Sequence, residues 1–493
     1  MQFQLQSSSS STPTFPNLST AAAPHNLSDD NTPISKALSN PLIRDLIFAQ
    51  LTVSELKSAR LVCREWAEVG TSFLGNRTFL NLTQFFRYVA PNLYEVTPEA
   101  AVMTQVFEHV SQSTRQIHFD IEQIKFVTSF VNGMRKLGDL PNLEHISISV
   151  FWMGGIGVYP AYKKLPLLTN LTSLTFHLNG HVQQASYGFQ PLLQILIDSA
   201  PNLTSLNVRS SSYPNLEGCK KNLKVLKFVL VKPAPSFLLD FNPAIKMLAE
   251  VKDSLIEMEF RDEIPAMLHS HNLEELDVPV MSKMTSVTIH PAATYLFPDF
   301  FNEDHLPRLE SLFLSVTNRS EGLALSPHLN LWKPHGGVKS LKLQLGEVDA
   351  NEIGRQIVAL FPSVTKFELI SSLGCNNSVL GINQMMPPYQ KWDLEEALVS
   401  WEGVHTADTL VAVLKNMAAW KGDKSIEFTS TWVMKDDFFP SIKDLIVHST
   451  GFKSVQISGG YWGVVPEILA VIQPILEGSG APIRITGGVV SSA

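Results

Sequence analysis

Apolar side chains return along most of this chain in one arrangement: an apolar residue, two variable ones, a second apolar, one variable, a third apolar. The copies are LEHISI at 143–148, LTSLTF at 171–176, LTSLNV at 203–208, LKVLKF at 223–228, LIEMEF at 255–260 and MTSVTI at 284–289. They continue with LESLFL at 309–314, VKSLKL at 338–343, VTKFEL at 364–369, KSIEF at 424–428 and FKSVQI at 452–457. TRQIHF at 114–119 and FLNLTQF at 79–85 are earlier, degenerate copies. From 114 to 143 is 29 residues, from 143 to 171 is 28, from 255 to 284 is 29, and from 338 to 364 is 26. The step from 364 to 423 is 59, two periods, which places one poorly matching unit near Leu394; that from 203 to 223 is only 20. Alternation in the second half of each copy predicts a short strand with one face buried. PLLQILIDSA at 191–200 and NEIGRQIVALF at 351–361 predict helices covering such strands. Leu140-Pro141-Asn142-Leu143 and Ala200-Pro201-Asn202-Leu203 end a preceding helix with proline and lead into the strand.

A period of 20 to 29 with this core is the leucine-rich-repeat signature. One such unit cannot bury its own apolar face, so the units must stack, and the expected fold is an α/β solenoid, a horseshoe, over residues 78–485. Asn179 occupies the position where such repeats carry an Asn that bonds the turn backbone. Side chains between the buried positions point to the open, concave face. The candidates there for contact with a protein target are His145, Ser147, Thr175, His177, Asn207, Arg209, Glu257, Glu259 and Arg261. Lys227, Phe313, Lys342, Lys366 and Glu368 share that face by spacing.

The repeat pattern is absent from three other stretches. Residues 1–38 are rich in Ser, Thr, Pro, Asn and Ala, with too little apolar surface to offset ordering entropy, and predict a disordered tail. Residues 486–493 read as a C-terminal tail. In between, residues 39–77 form a separate module. Leu42, Ile43, Leu46 and Ile47 recur at helical spacing, Asn40 can cap the first turn, and Pro41 suits the first helical position. Thr52 or Ser54 can cap a second helix, and Gly70 bounds the run that ends in Trp66. Roughly forty residues is near the lower limit for an independent core. This module carries more large apolar groups than its interior can hide, so some need an outside surface. A cap sealing the first repeat is one use for it, but a cap needs a polar outer face. Apolar residues on more than one side favour docking to another protein.

Composition narrows the function classes. Formal net charge is −8, and the longest basic runs are pairs, a poor footprint for nucleic acid. Cys63, Cys219 and Cys375 are far apart, which supports neither a disulfide framework nor a zinc site and fits a reducing compartment. Without a basic start, an apolar leader or a run of ~18 apolar residues, the chain is expected to be cytoplasmic or nuclear, with no membrane partner. Gly154-Gly155-Ile156-Gly157 lacks the Lys-Ser of a phosphate loop, Gly422-Asp423-Lys424-Ser425 lacks its upstream glycine, and His177 and His181 do not converge. No cofactor, metal or catalytic group is expected.

Residues 40–77 resemble the F-box motif, whose core reads P-x-L-L-x-x-I-F-x-x-L followed by R-L-V-C-R-x-W. The matching positions are Pro41, Ile43, Ile47, Phe48, Leu51, Leu56, Arg60, Leu61, Val62, Cys63, Arg64 and Trp66, with Leu74 and Arg77 closing the motif. Leu42 stands where a Glu is usual. The resemblance, together with the repeats, implies a substrate-recognition subunit of an SCF-type ubiquitin ligase. In such a subunit the F-box holds a Skp-type adaptor and through it a cullin scaffold, and the repeats hold a target protein. A separate ubiquitin-conjugating enzyme does the chemistry. The expected adaptor contacts are Pro41, Leu42, Ile43, Ile47, Phe48, Leu51, Leu56, Leu61, Val62, Cys63 and Trp66. A repeat scaffold without ligase association is the alternative.

Overall fold

The computed structural model describes residues 37–38, 40–77, 79–83, 114–121, 124–137, 140–151, 164–179, 189–231, 242–262, 278–289, 300–316, 329–345, 350–371, 379–403, 407–430, 441–459 and 466–487. The chain divides into two compact units, Met1–Arg77 and Thr78–Ala493. Apart from Ala37 and Leu38, the expected disordered tail lies outside the described residues, as do the glycine run at 154–157, His181 and Cys375.

The described residues of the first unit include the helices α1 Pro41–Gln50, α2 Val53–Ala59 and α3 Arg64–Arg77. Their starts follow from local chemistry. Asn40 Oδ1 accepts from the Leu42 N–H at 2.9 Å, with Pro41 in the first turn where no donor is needed. Thr52, not Ser54, caps α2. Its N–H donates to Glu55 Oε2 at 2.7 Å while its hydroxyl accepts from the Glu55 N–H at 3.3 Å, a reciprocal capping box. The core is small: Phe48, Leu56, Ala59 and Leu74 are covered, and Ile47, Leu51, Val53, Trp66, Val69 and Phe73 pack partly against them. Gly70 does not bound the run; α3 passes through it. A Cβ at Gly70 would lie 2.6 Å from Arg60 Cγ and 3.1 Å from Phe48 Cε1. The glycine is there for close packing against those two side chains.

In the second unit, fifteen parallel strands form one sheet in unbroken chain order. They are β1 Leu80–Asn81, β2 Gln116–Ile121, β3 His145–Phe151, β4 Ser173–Asn179, β5 Ser205–Ser210, β6 Val225–Leu230, β7 Glu257–Asp262 and β8 Ser286–Ile289. The series continues with β9 Ser311–Val316, β10 Ser340–Leu345, β11 Lys366–Ser371, β12 Glu396–Gly403, β13 Asp423–Ser430, β14 Ser454–Gly459 and β15 Ile483–Gly487. β15 runs to Gly487, two residues past the expected end of the repeats at 485. The helices α4 Ile124–Leu137, α5 Gln190–Ser199, α6 Asn242–Val251 and α7 Ala350–Leu360 return the chain from one strand to the next. So do α8 Val379–Met385, α9 Ala407–Ala418, α10 Ile442–Ser449 and α11 Pro466–Ser479.

The apolar positions of the repeat are the buried ones. Leu171, Leu174 and Phe176 are fully covered, as are Leu203, Leu206 and Val208, and Leu223, Leu226 and Phe228. Each such side chain contributes roughly 1.5–3 kcal/mol by leaving water. Successive turns are stitched by backbone bonds one residue after the first apolar position: Thr204 N–H to Thr172 O at 2.9 Å, Lys224 to Thr204 at 2.8 Å, Ile256 to Lys224 at 2.8 Å. The unit expected near Leu394 is present. Leu394, Ala397 and Val399 fill the three core positions, and β12 follows Leu394. The short 203-to-223 step has no helix: turns over 211–222 bury Leu216 and Cys219 where a helix would otherwise cover the sheet.

The turn that follows Asn179 lies outside the described residues, and asparagines at another position of the repeat bond turn backbone. Asn202 donates its amide to Thr169 O at 2.8 Å and Asn222 to Pro201 O at 3.0 Å, with Asn170 reaching Pro141 O in the same way. Each stands just before the first apolar residue of its repeat. Between β9 and β10 a histidine takes over this linking role. Buried His335 places Nε2 3.0 Å from Leu306 O and accepts the Gly337 N–H at Nδ1, 3.1 Å away, an arrangement that puts its proton on Nε2.

Candidate functional site

The helical unit leaves an apolar surface uncovered. Leu42 is 73% exposed, Leu46 68%, Leu61 87% and Val62 65%, with Ile43 partly open and Cys63 exposed beside them in sequence. On α1, Leu42 and Leu46 are one turn apart and form a single stripe. Leu61 and Val62 sit in the tight turn after α2, where the Leu61 N–H bonds Ser58 O at 3.0 Å and the Val62 N–H bonds Ala59 O at 3.1 Å. That turn fixes both side chains outward. Exposed aliphatics grouped in this way make the two segments candidate contact positions.

The same geometry corrects the expected contact set. Phe48 and Leu56 are wholly buried, and Phe48 meets Trp66 edge-on at 5.4 Å and Phe73 at 6.2 Å. These two residues hold the unit together and cannot reach a partner without unfolding it. Ile47, Leu51 and Trp66 are half-buried against that core. Leu46 was missing from the set; its place in the helical stripe was the available signal. Both carboxylates flanking the turn are held below the ordinary carboxylate range. Glu55 is stabilised by the Thr52 backbone N–H and hydroxyl, Glu65 by its own backbone N–H and the Cys63 thiol.

On the repeat unit, the nine expected target-contact residues all occupy outward strand positions of intermediate exposure. Register brings Ser147, Thr175, Asn207, Lys227 and Glu259 into one row across β3–β7, and His177, Arg209, Val229 and Arg261 into the next. His145 and Glu257 lie one row earlier, on β3 and β7. The charges are largely turned on one another. Lys227 Nζ is 3.5 Å from Glu257 and 3.8 Å from Glu259, and Arg261 pairs with Glu259.

A hollow of about 480 Å³ lies further along, over β10–β14. Sequence reasoning had only part of it, namely Lys342, Lys366 and Glu368. Glu396, Leu398, Asp423, Ser425 and Glu427 complete it from β12 and β13, with Lys453 and Ser454 at the start of β14. Glu396 and Leu398 belong to the repeat with the weakest pattern. There the small Ala397 fills a core position while Leu398 points outward. Behind these strands Phe367, Tyr389, Trp392 and Trp420 pack with ring centroids 4.7–6.0 Å apart, and the Trp392 indole N–H bonds Phe361 O at 2.8 Å. Burial pushes the Tyr389 phenol well above its ordinary value.

Among the described residues no group of three or more His, Cys, Asp or Glu side chains could hold a metal ion, and no helix is long and apolar enough to cross a membrane. No family model matches the chain, and no curated protein matches it.

Proposed function

We propose that this chain is a non-catalytic substrate receptor of an SCF-type ubiquitin ligase. Its helical unit binds a Skp-type adaptor, and the open face of its repeats binds the protein to be modified. One observation carries the reading: Leu42, Leu46, Leu61 and Val62 stand in water on a module with a core of four covered side chains. A module this small loses stability by exposing large aliphatics, so a covering partner accounts for them. The receptor's contribution is proximity. Tethering a target near the conjugating enzyme raises its effective concentration to the millimolar scale.

The test is capture of the adaptor by the full chain. Leu61→Asp with Val62→Asp changes only exposed positions and should abolish capture while leaving the helices folded, since a carboxylate cannot be buried in an apolar interface without large cost. Cys63 gives a second readout. It is exposed, whereas Cys219 is buried with its thiol pushed up to about 12. Maleimide labelling of Cys63 should be rapid in the free chain and suppressed by the adaptor. Normal capture by the double variant, or unprotected Cys63 in the complex, would overturn the proposal.

A further inference from the structure

We infer that the hollow over β10–β14 is the docking groove for one extended, positively charged segment of a partner protein, carrying a Lys or Arg two positions from an apolar residue. The inference deepens the receptor reading and rests on it for one point only, that the partner is a protein delivered for modification.

Charge decides the ligand class. Each of the three lysines around the hollow already faces a carboxylate: Lys342 to Glu368 at 2.7 Å, Lys366 to Glu396 at 3.2 Å, Lys453 to Asp423 at 3.8 Å. An anionic ligand would have to displace these partners and would then confront all four carboxylates. The fourth, Glu427, has no cation within ion-pair distance among the described residues; its contact is the Ser400 hydroxyl at 3.5 Å. A cationic side chain finds that carboxylate open and need break nothing. Exposed lysine–carboxylate pairs of the surrounding kind are worth only about 0–1 kcal/mol in general, so the rim can also rearrange around a guest.

Shape supplies the second element. Among the outward-pointing residues lining the hollow, Leu398 alone is apolar. Leu398 pairs in register with Ser425 on β13, and Glu427 lies two residues beyond Ser425 on the same side of the sheet. With strands about 4.8 Å apart and two residues rising about 6.6 Å, such a diagonal spans about 8 Å. Alternate side chains on one side of an extended chain are separated by about 6.6 Å. An apolar residue resting on Leu398 therefore places the residue two positions away over Glu427. An apolar centre within a charged rim is the usual anatomy of a protein contact. The ring cluster behind β11–β13 gives the groove a rigid back wall.

The test is selection of phage-displayed random dodecapeptides on the immobilised full-length chain. The wild type should enrich peptides with a Lys or Arg two positions from an aliphatic or aromatic residue. Glu427→Lys and, separately, Leu398→Ser should each lower recovery of that pool roughly tenfold or more, with unchanged circular dichroism. Glu427→Gln, which keeps the shape, should lower it less than Glu427→Lys. Glu217→Lys, at an exposed position in the turn between β5 and β6, should change nothing. Enrichment of acidic peptides, enrichment indifferent to both groove variants, or no enrichment at all would each overturn the inference. Adaptor capture by the same preparations separates the two proposals. Basic peptides held by a chain that ignores the adaptor would leave the groove standing and remove the ligase role, and the converse would remove the groove alone.

Discussion

Replacing Phe48 with Ala should dismantle the helical unit, whereas replacing Leu61 with Asp should leave it folded. Phe48 is fully covered, lying against Trp66, Phe73 and the backbone of Gly70. Truncating a buried Phe to Ala costs about 3–5 kcal/mol, through lost transfer energy and the cavity left behind. A module whose covered core is Phe48, Leu56, Ala59 and Leu74 commands about 3–5 kcal/mol in total, so the loss rivals the whole. Leu61 is 87% exposed, and changes at such positions stay within about 0.5 kcal/mol. Hydrogen exchange read by mass spectrometry on the full chain resolves the two cases, with amides of the repeat strands as internal reference. Phe48→Ala should strip protection from α1, α2 and α3 while β3–β6 stay protected, and Leu61→Asp should leave both intact. Persistent protection in Phe48→Ala, or equal loss from Leu61→Asp, would show that the core of this unit lies elsewhere.

Three further outcomes follow from local geometry. The Glu55 carboxylate is held below its ordinary 4.5, so the stability it contributes is present above that value and is lost as pH falls through the lower, folded one; amide protection in α2 should fade with acidification, less steeply in Glu55→Gln. His335→Ala leaves the Gly337 N–H without its partner, while Leu306 O keeps the Leu309 N–H at 3.1 Å, and should cost about 1–3 kcal/mol, seen as a lower urea midpoint with unchanged slope. Gly422 (φ +72°) and Gly451 (φ +87°) share a left-handed backbone, but a Cβ at Gly422 would lie 2.3 Å from Leu394 O, while one at Gly451 meets nothing within 4 Å. Gly451→Ala should therefore show only the backbone term of about 1–2 kcal/mol, and Gly422→Ala considerably more in a thermal melt.

The strands were legible in the sequence because the physics that buries them also writes the pattern. Leu174 and Phe176, or Leu206 and Val208, are apolar for the same reason that they are covered. The repeat at Leu394 was visible only as a gap in the spacing. Ala397 is too small to register as a core residue, and Leu398 puts an apolar letter in an outward slot. The candidate surface on the helical unit was legible in its existence but not in its membership. Phe48 and Leu46 are both large and apolar, and only the packing of α3 across α1 tells which of them is covered. Gly70 misled because a helix-breaking residue and a close-packing residue carry the same letter. The turn-linking role of His335 and the openness of Glu427 depend on partners far away in sequence, which no local pattern records.

The chain-order sheet has a mechanical consequence. Because each strand hydrogen-bonds only to those just before and after it in sequence, no strand clamps together distant parts of the chain. Pulled from its two ends, the repeat unit should give way from a terminus inward, releasing a few tens of residues at each step, rather than rupturing all at once. A machine that unravels proteins by tugging on one end would meet a series of modest obstacles here and no single barrier.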